Sequence, residues 1–240
     1  MPTDEALEEL KKNFVGIVAT IVVGLQCALF SYLVIQLPPI LNFFQSNLSS
    51  PGSWLLILEL ILCLAILFRV IQTYLTAAID YKDWVIGPID IFVIIILTVA
   101  QGYLISTLVP NNTDIKAFYI ALSFITFIAS IGYFQAFSKL KPDNKNYFRE
   151  KQLQTVNILG VFIPFLITLI IIIGPRLDDI IYVVFNIIIS VIVWFNIYYS
   201  LRITFINEPP LINKWISRIV KSFWKNNTTF DPPPPPNSPP

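Results

Sequence analysis

Four side chains stand out for the chemistry they could do: Glu59, Arg69, Asp90 and Gln101, each set inside an otherwise apolar run. An arginine near the centre of a bilayer costs about 2.5–3.5 kcal/mol on insertion scales. A carboxylate at similar depth would offset much of that cost, and the arginine would in turn hold the acid in its charged form. At 1.5 Å per residue, Arg69 lies about 15 Å above the inner end of its run and Asp90 about 9 Å above the inner end of the next. Helical spacing places Gln72, Thr73, Thr76 and Asp80 on the Arg69 side, while Asp90 and Gln101 nearly eclipse each other. The expectation is a polar seam between the second and third spans, built from Arg69, Gln72, Thr76, Asp80, Asp90 and Gln101 and extended outward by Glu59. Such intramembrane charge marks an ion or substrate path, or clamps two helices together.

The elements that carry these residues are long apolar stretches. The 240-residue chain is 55% hydrophobic and only 13% charged, against about 25% charged in a soluble domain. About 20 helical residues cross a hydrocarbon layer about 30 Å thick. Six stretches meet that length or approach it: 14–37, 54–79, 84–109, 115–138, 156–174 and 180–206. The sequence therefore predicts an all-α polytopic bundle of six transmembrane helices. Runs such as Ile170-Ile171-Ile172-Ile173 do not alternate as the strands of a barrel must. The four acids ahead of the first span argue against a signal peptide, which starts with net positive charge.

Basic residues set the orientation. All Lys and Arg except Arg69, Lys116 and Arg176 fall in the N-terminal segment, in the loops after spans two and four, or at the C-terminal end from Arg202 onward. The positive-inside rule then places both termini in the cytoplasm of a plasma or bacterial inner membrane. Residues 38–53 form an uncharged outer loop punctuated by Pro38-Pro39 and Pro51-Gly52. Asn47-Leu48-Ser49 and Asn111-Asn112-Thr113 match a glycosylation pattern on that outer side.

Outside the membrane domain of residues 14–206, residues 1–13 read as a short cytoplasmic helix. Residues 207–226 read as a basic amphipathic helix in which Lys214, Arg218, Lys221 and Lys225 form one stripe. That stripe suits anionic headgroups at the cytoplasmic face of the bilayer. Pro232–Pro236 open a disordered tail at 227–240.

Several chemistries are excluded. The chain has no His, which removes His-metal sites and His relays. Cys27 and Cys63 read as small apolar residues, and no phosphate loop or nucleophile elbow occurs. No cofactor, metal or nucleic-acid site is expected, and no residue is assigned a catalytic role. The company expected is lipid, a second copy of the chain, or a partner membrane subunit. Three classes of function remain. A small channel or transporter subunit leads, followed by a non-catalytic accessory or assembly subunit. The third is a lipid-modifying enzyme using Asp80, Asp83 and Asp90.

Overall fold

The computed structural model describes residues 4–80, 88–110, 115–138 and 147–205. Among them every regular element is helical: α1 Asp4–Ser46, α2 Pro51–Asp80, α3 Pro88–Ser106, α4 Ile115–Ser138, α5 Tyr147–Ile173 and α6 Asp179–Phe205. All except α3 are long and apolar enough to cross a membrane. The described apolar part of α3, Ile91–Ser106, is shorter. Large apolar side chains point outward around the bundle, among them Ile35, Phe92, Val99, Ile170 and Ile173. A water-facing domain would not leave that surface exposed, and it is consistent with an integral membrane protein.

The helices run past the expected spans at several ends: α1 is continuous from Asp4, with no break before residue 14, and α5 begins at Tyr147 rather than at 156. Pro38 and Pro39 lie inside α1, which continues to Ser46, so the connection to α2 shrinks to residues 47–50. Each proline lacks an N–H, which leaves the carbonyls of Val34 and Ile35 without their helical donors. The helix resumes because the residues after the prolines find other support. Ile40 is fully buried, and Asn47 Nδ2 donates to Phe43 O at 2.9 Å. The Phe44 ring meets Trp54 edge-on, 5.0 Å away. This turn marks the upper end of the bundle.

Helix contacts close a circuit in the order α1, α2, α6, α5, α4, α3 and back to α1. This amounts to two rows of three, α1–α2–α6 against α3–α4–α5. Neighbours run antiparallel except α2 with α6 and α1 with α3, which are parallel. The starts of α2 and α6 meet at the upper end, where a side chain on Gly52 would lie 3.7 Å from Asp179 Oδ2. Lower down, Gln72 Nε2 donates to Ile197 O at 3.3 Å.

Helices α2 and α3 were expected to lie side by side because only a tight turn joins them. In the bundle they touch only narrowly. The flanks of α2 are taken by α1 and α6, so α3 sits in the opposite row against α4 and α1.

The main apolar core fills the upper half, with Leu62, Ala65, Leu104, Leu108, Tyr119, Leu122 and Ile189 at its centre. Two smaller clusters lie below. One joins Val18 and Val22 to Ile94, and the other joins Leu153 and Val156 to Tyr199 and Ile203. The layer that holds Arg69 lies at the level of these lower clusters, since Val70 packs on the first and Asn157 and Ser200 adjoin Val156 and Tyr199 of the second.

Candidate functional site

Arg69 is 8% exposed, and its guanidinium is held by neutral groups from its own helix and from two others. Nη1 donates to Gln72 Oε1 at 2.8 Å, one turn along α2. Nη2 donates to Asn157 Oδ1 on α5. That same oxygen accepts from Ser200 Oγ of α6 at 3.0 Å. The Tyr133 ring of α4 lies 5.7 Å from the guanidinium carbon, within cation–π range. Tyr133 is itself tied back by a 2.9 Å hydrogen bond between its hydroxyl and Thr73 Oγ1. The planar fork of arginine suits this arrangement, because two terminal nitrogens can serve two acceptors at once. Arg69 Nε is buried without a partner.

The close approach of α5 to α6 makes this layer. Asn196 lies over Gly160, and Asn196 Nδ2 donates to Val156 O at 2.7 Å. Any side chain at 160 would occupy the space of the Asn196 amide. Pro164, four residues on, withholds the donor that the Gly160 carbonyl would otherwise receive. A glycine followed by a proline thus lets polar α6 side chains lie against the α5 backbone.

A second polar group lies higher in the bundle. Glu59 of α2 is 6% exposed and makes no hydrogen bond among the described residues. It lies within electrostatic reach of the Tyr119 hydroxyl and of Cys63. Tyr119 stacks on Tyr182 with ring centres 5.6 Å apart, and its hydroxyl donates to Tyr182 O at 3.5 Å. One turn below Tyr182, Asn186 is 0% exposed. Neither its amide oxygen nor its nitrogen finds a partner, and Ser190 Oγ, one turn further, also lacks one. On the other side of α2, Gln26 Nε2 donates to Gln101 Oε1 at 2.9 Å, which leaves Gln26 Oε1 and Gln101 Nε2 buried and unpaired.

The residues expected to form a seam are therefore distributed. Arg69 and Gln72 are brought together. Gln101 is joined to Gln26 of α1 rather than to a group on α2. Glu59 lies in the upper half and makes no hydrogen bond to another described residue of the expected seam. The side chains of Thr76, Asp80 and Asp90 lie outside the described residues, as does the whole of Asp83. The stripe of Lys214, Arg218, Lys221 and Lys225 also lies outside them. Cys63 is buried, whereas Cys27 is exposed on the outer face of α1. No group of three or more metal-type ligands occurs among the described residues.

The sequence does not mark Asn157, Ser200 and Asn196 as one site. A faint signal existed, since Asn157 shares its half of α5 with Gly160 and Asn196 stands one turn before Ser200. Nothing local says that these two turns face each other. No family model matches this chain, and no curated protein or solved structure matches it either.

Proposed function

We propose that this protein is a small channel or transporter, its six helices crossing the membrane with both termini in the cytoplasm. In this reading the polar groups between the two helical rows line the route. The observation that carries it is the set of buried polar atoms without partners: both amide atoms of Asn186, Ser190 Oγ, Gln26 Oε1 and Gln101 Nε2. Buried polar groups are nearly always satisfied, and lipid offers nothing to satisfy them. Water or a polar solute between the rows would complete these bonds. The Arg69 layer then acts as the lower constriction, because its two terminal nitrogens already spend hydrogen bonds on α2 and α5. Asp90 remains its candidate counter-ion. Lipid headgroups are the proposed partner of the basic stripe at 214–225, and a second copy or another membrane subunit the proposed partner of the outer surface.

The test is ion flux in vesicles reconstituted with the purified protein. Flux should appear with the native chain and fall at least tenfold in Glu59→Gln. Native protein that folds in vesicles and supports no flux would remove the reading.

The four-helix tie at Arg69 favours one other reading, an accessory subunit that the arginine merely holds together. That protein would carry no flux and would co-purify with a larger membrane complex.

A further inference from the structure

We infer that Glu59, Asn186 and Ser190 form a binding site for a monovalent cation in the upper half of the bundle. The inference rests on the transport reading for its purpose, but its geometry stands apart from it. Helices α2 and α6 are parallel, and two contacts fix their register. At the top, Gly52 faces Asp179. Below, Gln72 bonds the carbonyl of Ile197. Glu59 is seven residues below Gly52, and Asn186 is seven below Asp179, so both lie about 10 Å beneath the same upper contact. Asn186 shares the helical face of Ile197, eleven residues on, and that face is the one α6 turns toward α2. Ser190 is one turn lower on it.

The chemistry of the cluster is that of an oxygen-rich site with a formal negative charge and no internal cation. Among the described basic side chains, Lys116 and Arg69 are engaged elsewhere. Lys116, at the upper end of α4, donates its Nζ to Ile172 O at 3.1 Å and Gly174 O at 2.9 Å, where it caps α5. Arg69 is ten residues down α2, about 15 Å away, and donates to Gln72 and Asn157. An isolated carboxylate in a low-dielectric interior either gains a compensating cation or takes up a proton. The unpartnered oxygens of Asn186 and Ser190 are hard ligands suited to an alkali ion or to a hydrogen-bonded proton. Above the site, an open hollow of about 510 Å³ is lined by Pro51, Arg176, Asp178 and Asp179 among others. Its two acids outnumber its one base, so the mouth would concentrate cations.

The experiment measures thermal unfolding of the detergent-solubilised full chain, with NaCl titrated against choline chloride at constant ionic strength, and then across pH. For a sodium ion as occupant, the native Tm should rise with sodium but not with choline. Glu59→Gln should lose that rise entirely. Ser190→Ala should need about tenfold more sodium for half the effect, the equivalent of one hydrogen-bonding ligand. For a proton as occupant, the native Tm should respond to pH and not to sodium, and Glu59→Gln should lose that pH response. A native protein indifferent to both, or a Glu59→Gln protein that responds as the native does, overturns the site. If Glu59→Gln fails to fold, unchanged sodium and pH responses in both Ser190→Ala and Asn186→Leu overturn it equally. Cation binding in a protein that passes no flux would keep the site and reject the transport reading alone.

Discussion

Replacing Gly160 by alanine would set a methyl group 2.5 Å from Asn196 Cγ and 2.9 Å from Asn196 Cβ. Real Cβ atoms do not approach that closely, so either the amide turns away or α5 and α6 separate. If the amide turns, it gives up its 2.7 Å bond to Val156 O. Overpacking of this kind costs about 1–3 kcal/mol. An interhelical hydrogen bond in a membrane protein adds about 0.6 kcal/mol on average and up to about 1.7. The expected loss for Gly160→Ala is therefore about 2–4 kcal/mol. In an Asn196→Ala background only the Cβ contact survives, and a shift of a few tenths of an ångström relieves it. There the same substitution should cost about 1 kcal/mol, a coupling of about 2 kcal/mol between the two positions. Gly24 is the control, since nothing lies within 4 Å of a Cβ built there. Alanine at 24 should be neutral or stabilise α1 by up to about 1 kcal/mol through helix propensity. Unfolding in mixed micelles at rising SDS fraction, followed by circular dichroism, measures all of these. Equal costs for Gly160→Ala with and without the Asn196 amide would refute the close packing of α5 on α6.

Other perturbations follow from the same geometry. Arg69→Lys should cost about 1.5–3 kcal/mol in that assay, the range for a hydrogen bond to a charged group, because one ammonium cannot reproduce the fork to Gln72 and Asn157. Ser200→Ala should cost about 1 kcal/mol or less, since Asn157 Oδ1 keeps Arg69; equal losses for the two would deny Arg69 its central place. Lys116→Met should lower stability by about 0.3–1 kcal/mol through loss of the positive charge at the end of α5, and no change would show that the cap is unimportant. A lipid-soluble maleimide should label Cys27 in the folded protein and reach Cys63 only after unfolding; equal rates would contradict the placement of α1. In vesicles of known sidedness and a cysteine-free background, Gln45→Cys should react with an impermeant thiol reagent from the outside and Asn146→Cys only after permeabilisation. The reverse pattern would invert the orientation read from the basic residues.

Some of the site was legible along the chain and some was not. Arg69, Glu59 and Gln101 were conspicuous because a polar side chain in an apolar helix is costly wherever it ends up, and all three are buried in the bundle. Their partners were not conspicuous. The link from Arg69 to Asn157 spans 88 positions, and that from Gln26 to Gln101 spans 75. The inference that α2 and α3 are neighbours used the shortness of their connection, but a short turn limits only the distance between two helix ends. It does not stop α3 from leaning into the opposite row. The continuation of α1 past Pro38 and Pro39 was hidden for a related reason, because local proline chemistry argues for a stop and buried contacts at Ile40, Phe43 and Phe44 override it.

Residue order alone determines that this chain is helical and membrane-like in composition, and at what depth each polar group stands along its own helix. Those properties are local: a backbone in lipid must close its hydrogen bonds within each segment, which demands long apolar runs. Which faces meet is decided only in three dimensions. Lipid is as apolar as the side chains it touches, so burial does not distinguish one greasy face from another. The choice falls to close packing and interhelical hydrogen bonds, here Asn196 on Gly160 and Arg69 on Asn157. That choice gave Arg69 neutral acceptors on α2 and α5 and left Glu59 and Asn186 buried at similar depth on two parallel helices.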